Sequence, residues 1–132
     1  MKSNYKLFIG VVAGVLIGAV GNHAIRGQQA KTPPVYLISE ADAVTDPAAI
    51  KEYGAKVNET LAPFSGHYHF VVRSGKAESL DGDAPPKGIV VIVFDSAEQA
   101  HTWYSSPAYA AIKPIRLAAV KGRMFIVDGL AE

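Results

Sequence analysis

Between Gly88 and Asp95 stand six apolar residues without interruption, Ile89-Val90-Val91-Ile92-Val93-Phe94, and this run constrains the chain more than any other feature. It is short for a buried helix and rich in β-branched residues, so it reads as a strand buried on both faces. Two neighbours share that character: Val35-Tyr36-Leu37-Ile38-Ser39-Glu40, and Arg123 to Asp128 around Met124-Phe125-Ile126-Val127. Any sheet built from them needs cover on two sides.

The rest of the pattern says what cover the chain itself brings. Asp46-Pro47 offers an N-cap acceptor followed by proline in the first helical turn. Ile50, Tyr53, Val57, Leu61 and Phe64 then recur at three- and four-residue steps, which predicts a first helix closed by Pro63. Gly66 opens a strand over His67 to Arg73, and a turn-rich stretch from Ser74 to Lys87 leads into the strand that Gly88 opens. Ser96 with Gln99 three residues later forms a capping-box signature for a second helix, with Ala97, Ala100, Trp103 and Tyr104 inward. Ser106-Pro107 resets it, and Ala108, Ala111, Ile112, Ile115, Ala118 and Ala119 carry a stripe past Pro114 until Gly122 ends it.

The order is strand, helix, strand, strand, helix, strand. This is the split βαβ arrangement of an α+β, ferredoxin-like domain: a four-stranded antiparallel sheet with both helices on one face. Two helices cover one face only. Apolar surface is worth about 25 cal/mol per Å², so leaving the other face wet would forfeit several kcal/mol of a stability of about 5 to 15 kcal/mol. A homodimer packing sheet against sheet supplies the missing cover and encloses space for a small molecule.

Residues 1–30 read differently from this body. Lys2 and Lys6 precede 15 residues, Leu7 to Gly21, with no charge, which is short of the roughly 20 that a spanning helix needs. The segment has the form of an export signal, cleaved near Ala30 or retained as an anchor through residues 7–21. Either outcome places the body in the periplasm or outside the cell. Lys31 to Pro34 form a linker, and residues 35–132 the domain. With Lys2, Lys6 and Arg26 set aside, the remainder carries 10 basic against 12 acidic residues, so no basic field for nucleic acid is expected. The chain has no cysteine, which excludes thiolate chemistry and disulfides.

Candidate chemistry concentrates on the second strand. A two-residue period puts His67, His69, Val71 and Arg73 on one side and Tyr68, Phe70 and Val72 on the other. Arg73 would hold a carboxylate or enolate while His69 or His67 moves a proton; the alternative is an edge strand whose polar side meets water. Two histidines alone do not complete a zinc site, so no metal is expected. Glu40, sharing a side of its strand with Tyr36 and Ile38, must pair with an Arg or His or act as a base. Trp103, Tyr104, Tyr109 and Tyr53 would line an aromatic pocket or form ordinary core. Arg116 would bind an anion or serve as a partner for the helix dipole. Asp81-Gly82-Asp83 reads as a turn. No nucleophile elbow, phosphate loop or dinucleotide fingerprint occurs.

A series of fragments adds to this reading: Asp46-Pro47 before Glu52-Tyr53, Leu61-Ala62-Pro63-Phe64, Arg73-Ser74-Gly75-Lys76, Asp81-Gly82-Asp83, and Trp103-Tyr104-Ser105-Ser106-Pro107-Ala108-Tyr109 with Arg116. In this order, over residues 35 to 129, they resemble the family called domain of unknown function 1330. The resemblance implies the dimeric α/β-barrel superfamily, whose members pair through their sheets and include cofactor-independent oxygenases, haem-degrading enzymes, isomerases and proteins without known activity. The family pattern carries Arg-Gly-Gly where Ser74 stands here, and Glu-Gly where Asp81-Gly82 stands. The expectation is an exported dimer binding a small organic molecule without a cofactor, with Arg73, His69 and Glu40 as polar contacts and Tyr53 and Trp103 as walls. Alternatives are a cofactor-independent enzyme using His69 as base, and a structural module without a ligand.

Overall fold

A computed structural model describes residues 31–132. The expected export segment, residues 1–30, lies outside the described residues. The elements are β1 (Val35–Val44), α1 (Pro47–Leu61), a 3-10 turn (Ala62–Phe64), β2 (Tyr68–Arg73), β3 (Gly88–Phe94), α2 (Ala97–Tyr104), α3 (Pro107–Ala119) and β4 (Val120–Asp128). The sheet order is β2-β3-β1-β4, antiparallel throughout, so each crossover helix spans a strand inserted between the two that it connects. This is the α+β ferredoxin-like βαββαβ arrangement expected from the sequence, with the helices on one face.

Each helix starts where a side chain satisfies an orphan N–H. The Ala49 N–H donates to Asp46 Oδ1 at 3.0 Å, the Gln99 N–H to Ser96 Oγ at 3.2 Å, and the Tyr109 N–H to Ser106 Oγ at 3.2 Å. The last cap divides the second helical stretch into α2 and α3. The end of α3, and with it the start of β4, differs from the sequence reading. The helix ends at Ala119, not at Gly122, because Val120 already has the extended φ and ψ of a strand. Gly122 serves a different purpose: it sits opposite Ala41, where β4 passes so close to β1 that a Cβ would collide with the Glu40 carbonyl.

Cross-strand rows show how the core is filled. On the helix side the first row is Tyr68, Phe94 and Val35, the next Phe70, Ile92, Leu37 and Ile126, and the third Arg73, Val90, Ser39 and Met124. The fourth is Gly88, Ala41 and Gly122. Bulk thus tapers along the sheet. At the bulky end Trp103, Phe94, Leu61, Val35 and Tyr109 are fully buried, and the Trp103 ring lies 4.2 Å from Tyr109 and 5.9 Å from Phe94. At the other end the small residues leave room beneath α1. The opposite face of the sheet carries Tyr36, Phe125 and Val127, all exposed, beside Ile38, Val91 and Val93.

Candidate functional site

The small end of the taper opens a cavity of about 330 Å³ between the sheet and the helices. That is the lower end of the range for ligand sites, about 300–1,000 Å³. Its deep wall includes Leu37, Ile92, Trp103 and Arg116, which are buried. Its rim includes Val44, Gly54, Arg73 and Ser74, which are exposed. Sequence reasoning places the ligand space between two paired sheets; this cavity lies within the single chain, on the helix side, because Ser39, Ala41 and Gly88 are too small to reach α1.

β2 does not keep the two-residue period across its length. Phe70 faces Ile92 and Val72 faces Val91, so Val71 is an extra residue, a bulge, and every later side chain changes face. His69 pairs with Val93 on the open face, while Arg73 pairs with Val90 on the helix side. The expected face shared by His67, His69 and Arg73 is therefore corrected: His69 and Arg73 point to opposite sides of the sheet. His67 precedes the strand, and its Nδ1 lies 2.8 Å from Asp95 Oδ2 in an exposed pair. Arg73 stacks over the Phe70 ring at 3.8 Å and donates to Asn58 Oδ1 at 3.1 Å.

Glu40 is corrected in the same way. It lies on the open face opposite Arg123, whose Nε donates to Glu40 Oε2 at 2.6 Å. This hydrogen bond raises the Arg123 pKa, and the nearby carboxylate charge acts in the same direction. Of the two fates foreseen for this carboxylate, pairing is the one observed, outside the cavity. Tyr104 is partly exposed and sits under Lys113, whose Nζ is 4.7 Å from its ring centre, away from the cavity lining.

The structure brings together Tyr53, Trp103, Arg116 and, at the rim, Arg73. Trp103 is held by a buried hydrogen bond from Nε1 to Thr60 Oγ1 at 2.9 Å, and the Thr60 hydroxyl donates to the Val57 carbonyl at 2.7 Å. The Tyr53 and Tyr109 hydroxyls are 3.1 Å apart. Burial holds the Tyr53 phenol well above its ordinary pKa of 10.0, the Tyr109 hydroxyl adds to this, and the Arg116 charge opposes it. Arg116 is 7% exposed, and its Nε has no hydrogen-bond partner among the described residues. Tyr109 enters the sequence reading only as one of several aromatics, and of the expected α3 stripe Ile112 and Ala119 are buried while Ala108, Ala111 and Ala118 are exposed. The buried set is Tyr109, Ile112, Arg116 and Ala119, whose spacing is helical once the arginine is counted as an inward residue. Among the described residues no three of His, Cys, Asp and Glu converge as a metal site.

A four-stranded antiparallel sheet, helices on one face and a cavity between the layers define a ferredoxin-like domain. The chain belongs to the family described as domain of unknown function (DUF1330), which matches residues 34–130. Its fold is similar to that of a Rhodopseudomonas palustris protein of unknown function, with TM-score 0.60 and 15% identity over 80% of this chain and 89% of that one. It is also similar to SnoaB, a cofactor-independent oxygenase from Streptomyces nogalater, with TM-score 0.54 and 10% identity over 76% of this chain and 97% of that one. A third similar structure is a dimeric ferredoxin-like protein of unknown function from Jannaschia sp., with TM-score 0.52 and 12% identity over 74% of this chain and 99% of that one. No curated protein matches the sequence significantly.

Proposed function

We propose that this chain is an exported, homodimeric domain that binds a small organic molecule in the cavity between its sheet and α1. The observation that carries the reading is the tapered helix side of the sheet, where Ser39, Ala41 and Gly88 hold open a largely apolar space walled by Trp103. Gly54 supports it. A glycine within a helix costs about 1 kcal/mol against alanine, and this one lies at the rim, where a Cβ would meet nothing within 4 Å. The helix gives up stability at a position that borders the entrance. Dimerisation through the open face is supported by the exposed Tyr36, Phe125 and Val127 and by the dimeric character of the Jannaschia protein. Export rests on the charge and hydropathy pattern of residues 1–30.

The enzyme reading built on His69 has no geometric support. The cavity lining contains no His, Asp or Glu, and its one phenol, Tyr53, is raised away from neutral pH. The SnoaB likeness is one of fold.

Thermal denaturation with phenol, indole, benzoate and phenylacetate tests binding. A compound present at 100 times its Kd adds about 2.7 kcal/mol to the stability of the folded state. The wild type should be stabilised by at least one of them, and Gly54→Phe should fold but lose the response. An unchanged response in Gly54→Phe would move the site elsewhere, and no response in the wild type at millimolar concentrations would remove the binding reading.

A further inference from the structure

Arg116 is the one charged side chain in the deep wall of the cavity, and no carboxylate of the described residues lies within 4 Å of it. Its Nε is buried without a partner, and a cation so far withdrawn from bulk water with no anion beside it is a costly arrangement, where ordinary packing would place an apolar side chain of similar size. The position near the C-terminal end of α3 does not account for it. A dipole partner works equally well from an exposed position, and Arg116 is 93% buried. Around it the walls are apolar: Val57, Ile92, Trp103 and Met124. Beside it the Tyr53 hydroxyl shares a hydrogen bond with that of Tyr109, whose oxygen lies 3.9 Å from Met124 Sδ.

Resting on the binding reading above, we infer that the cavity selects a small monoanionic carboxylate with an apolar or aromatic body, whose carboxylate pairs with Arg116 while its body lies against Trp103 and Met124. One buried cation matches one negative charge, and the planar guanidinium fork matches a planar carboxylate. A phosphate dianion would need more positive charge than the deep wall provides. Arg73, at the rim and engaged with Asn58, attracts the anion on entry without competing for it in the bound state.

Trp103 is the only tryptophan, so the emission of the full chain reports on the cavity directly. Benzoate and phenylacetate are titrated against their neutral amides and against phenyl phosphate, in the wild type and in Arg116→Met. The wild type should bind an acid about tenfold or more tighter than its amide, and Arg116→Met should erase that preference while still binding the amide. The ligand-free Arg116→Met protein should also melt higher, by about 4 °C or more, because the unpaired charge is gone. Arg116→Lys, which keeps the charge but loses the fork, should keep part of the preference. Equal affinity for acid and amide in the wild type, tighter binding of phenyl phosphate than of both acids, or a lower melting temperature in Arg116→Met would overturn the carboxylate assignment and leave the cavity as a binding site. Silence of Trp103 toward every compound would overturn both.

Discussion

The two faces of the sheet are built from the same four strands, alternate residue by alternate residue, yet they treat arginine in opposite ways. On the open face Arg123 is largely exposed and is paired with Glu40 at 2.6 Å. On the helix side Arg116 is buried and has no carboxylate. Solvation alone favours the reverse, since an exposed ion pair adds little to stability and a buried charge demands a partner. The open face therefore looks like a surface arranged for a neighbour, with its charge balanced and its apolar groups Tyr36, Phe125 and Val127 presented. The helix side looks like a container whose balancing charge comes from elsewhere. The proposed function sits where local stability is given up.

The comparison breaks most visibly under truncation of one large side chain on each face. Leu37 is 2% exposed in the helix-side core, and Leu37→Ala should cost about 2 to 5 kcal/mol at any protein concentration. Phe125→Ala, on the open face, should cost little in dilute solution and more as concentration rises, because its loss is felt by the dimer. Denaturant melts of both variants over a hundredfold range of concentration read this out, with sedimentation to give the mass. Concentration-independent losses for both variants, with a monomeric wild type, would show that the open face has no partner copy.

Ionisation of the container wall supplies a second, smaller effect. The Tyr53 phenol is raised in the folded state by burial and by Tyr109, from an ordinary value of 10.0. A raised pKa means that the folded chain keeps a proton which the unfolded chain releases. The associated stability is complete below about pH 10 and declines as pH rises beyond it, by up to about 1.4 kcal/mol per pH unit for one group. Tyr53→Phe should flatten that decline in equilibrium unfolding between pH 9.5 and 11. An unchanged slope would place the phenol in contact with water.

How much of this was legible in the sequence follows from how each feature is encoded. Element order, the apolar stripe of α1 and the double-sided strand at Ile89 to Phe94 are written in periodicity and capping, which act over a few residues. The bulge at Val71 has no such mark, because any residue can occupy it; yet it alone decides that Arg73 faces the cavity and His69 does not. The phase of α3 was misread for a related reason. The sequence stripe includes Ala108, Ala111 and Ala118 and omits Tyr109 and Arg116, whereas packing against α1 and the sheet buries Tyr109, Ile112, Arg116 and Ala119 and leaves those three alanines exposed. The cavity itself is a property of rows assembled across strands that are distant in sequence. Its small residues, Ser39, Ala41 and Gly88, lie up to 49 positions apart along the chain.

The smallest effect lies at the rim and turns on one backbone angle. Ser74 has φ of +54°, the left-handed region that L side chains enter at a cost of about 1 to 2 kcal/mol. It is the position where the resemblance implied glycine, and the strand that precedes it carries Arg73 into the cavity mouth. Ser74→Gly removes the steric cost but gives the unfolded chain more freedom, which takes back about 0.4 to 1 kcal/mol. The expected result is a net gain of up to about 1 kcal/mol in chemical denaturation, with carboxylate affinity in the Trp103 titration unchanged because Arg73 keeps its contacts with Phe70 and Asn58. A loss of stability would mean that the Ser74 side chain secures the turn by a contact worth more than the strain. A gain accompanied by weaker binding would mean that the strained turn itself holds the mouth of the cavity in its open shape.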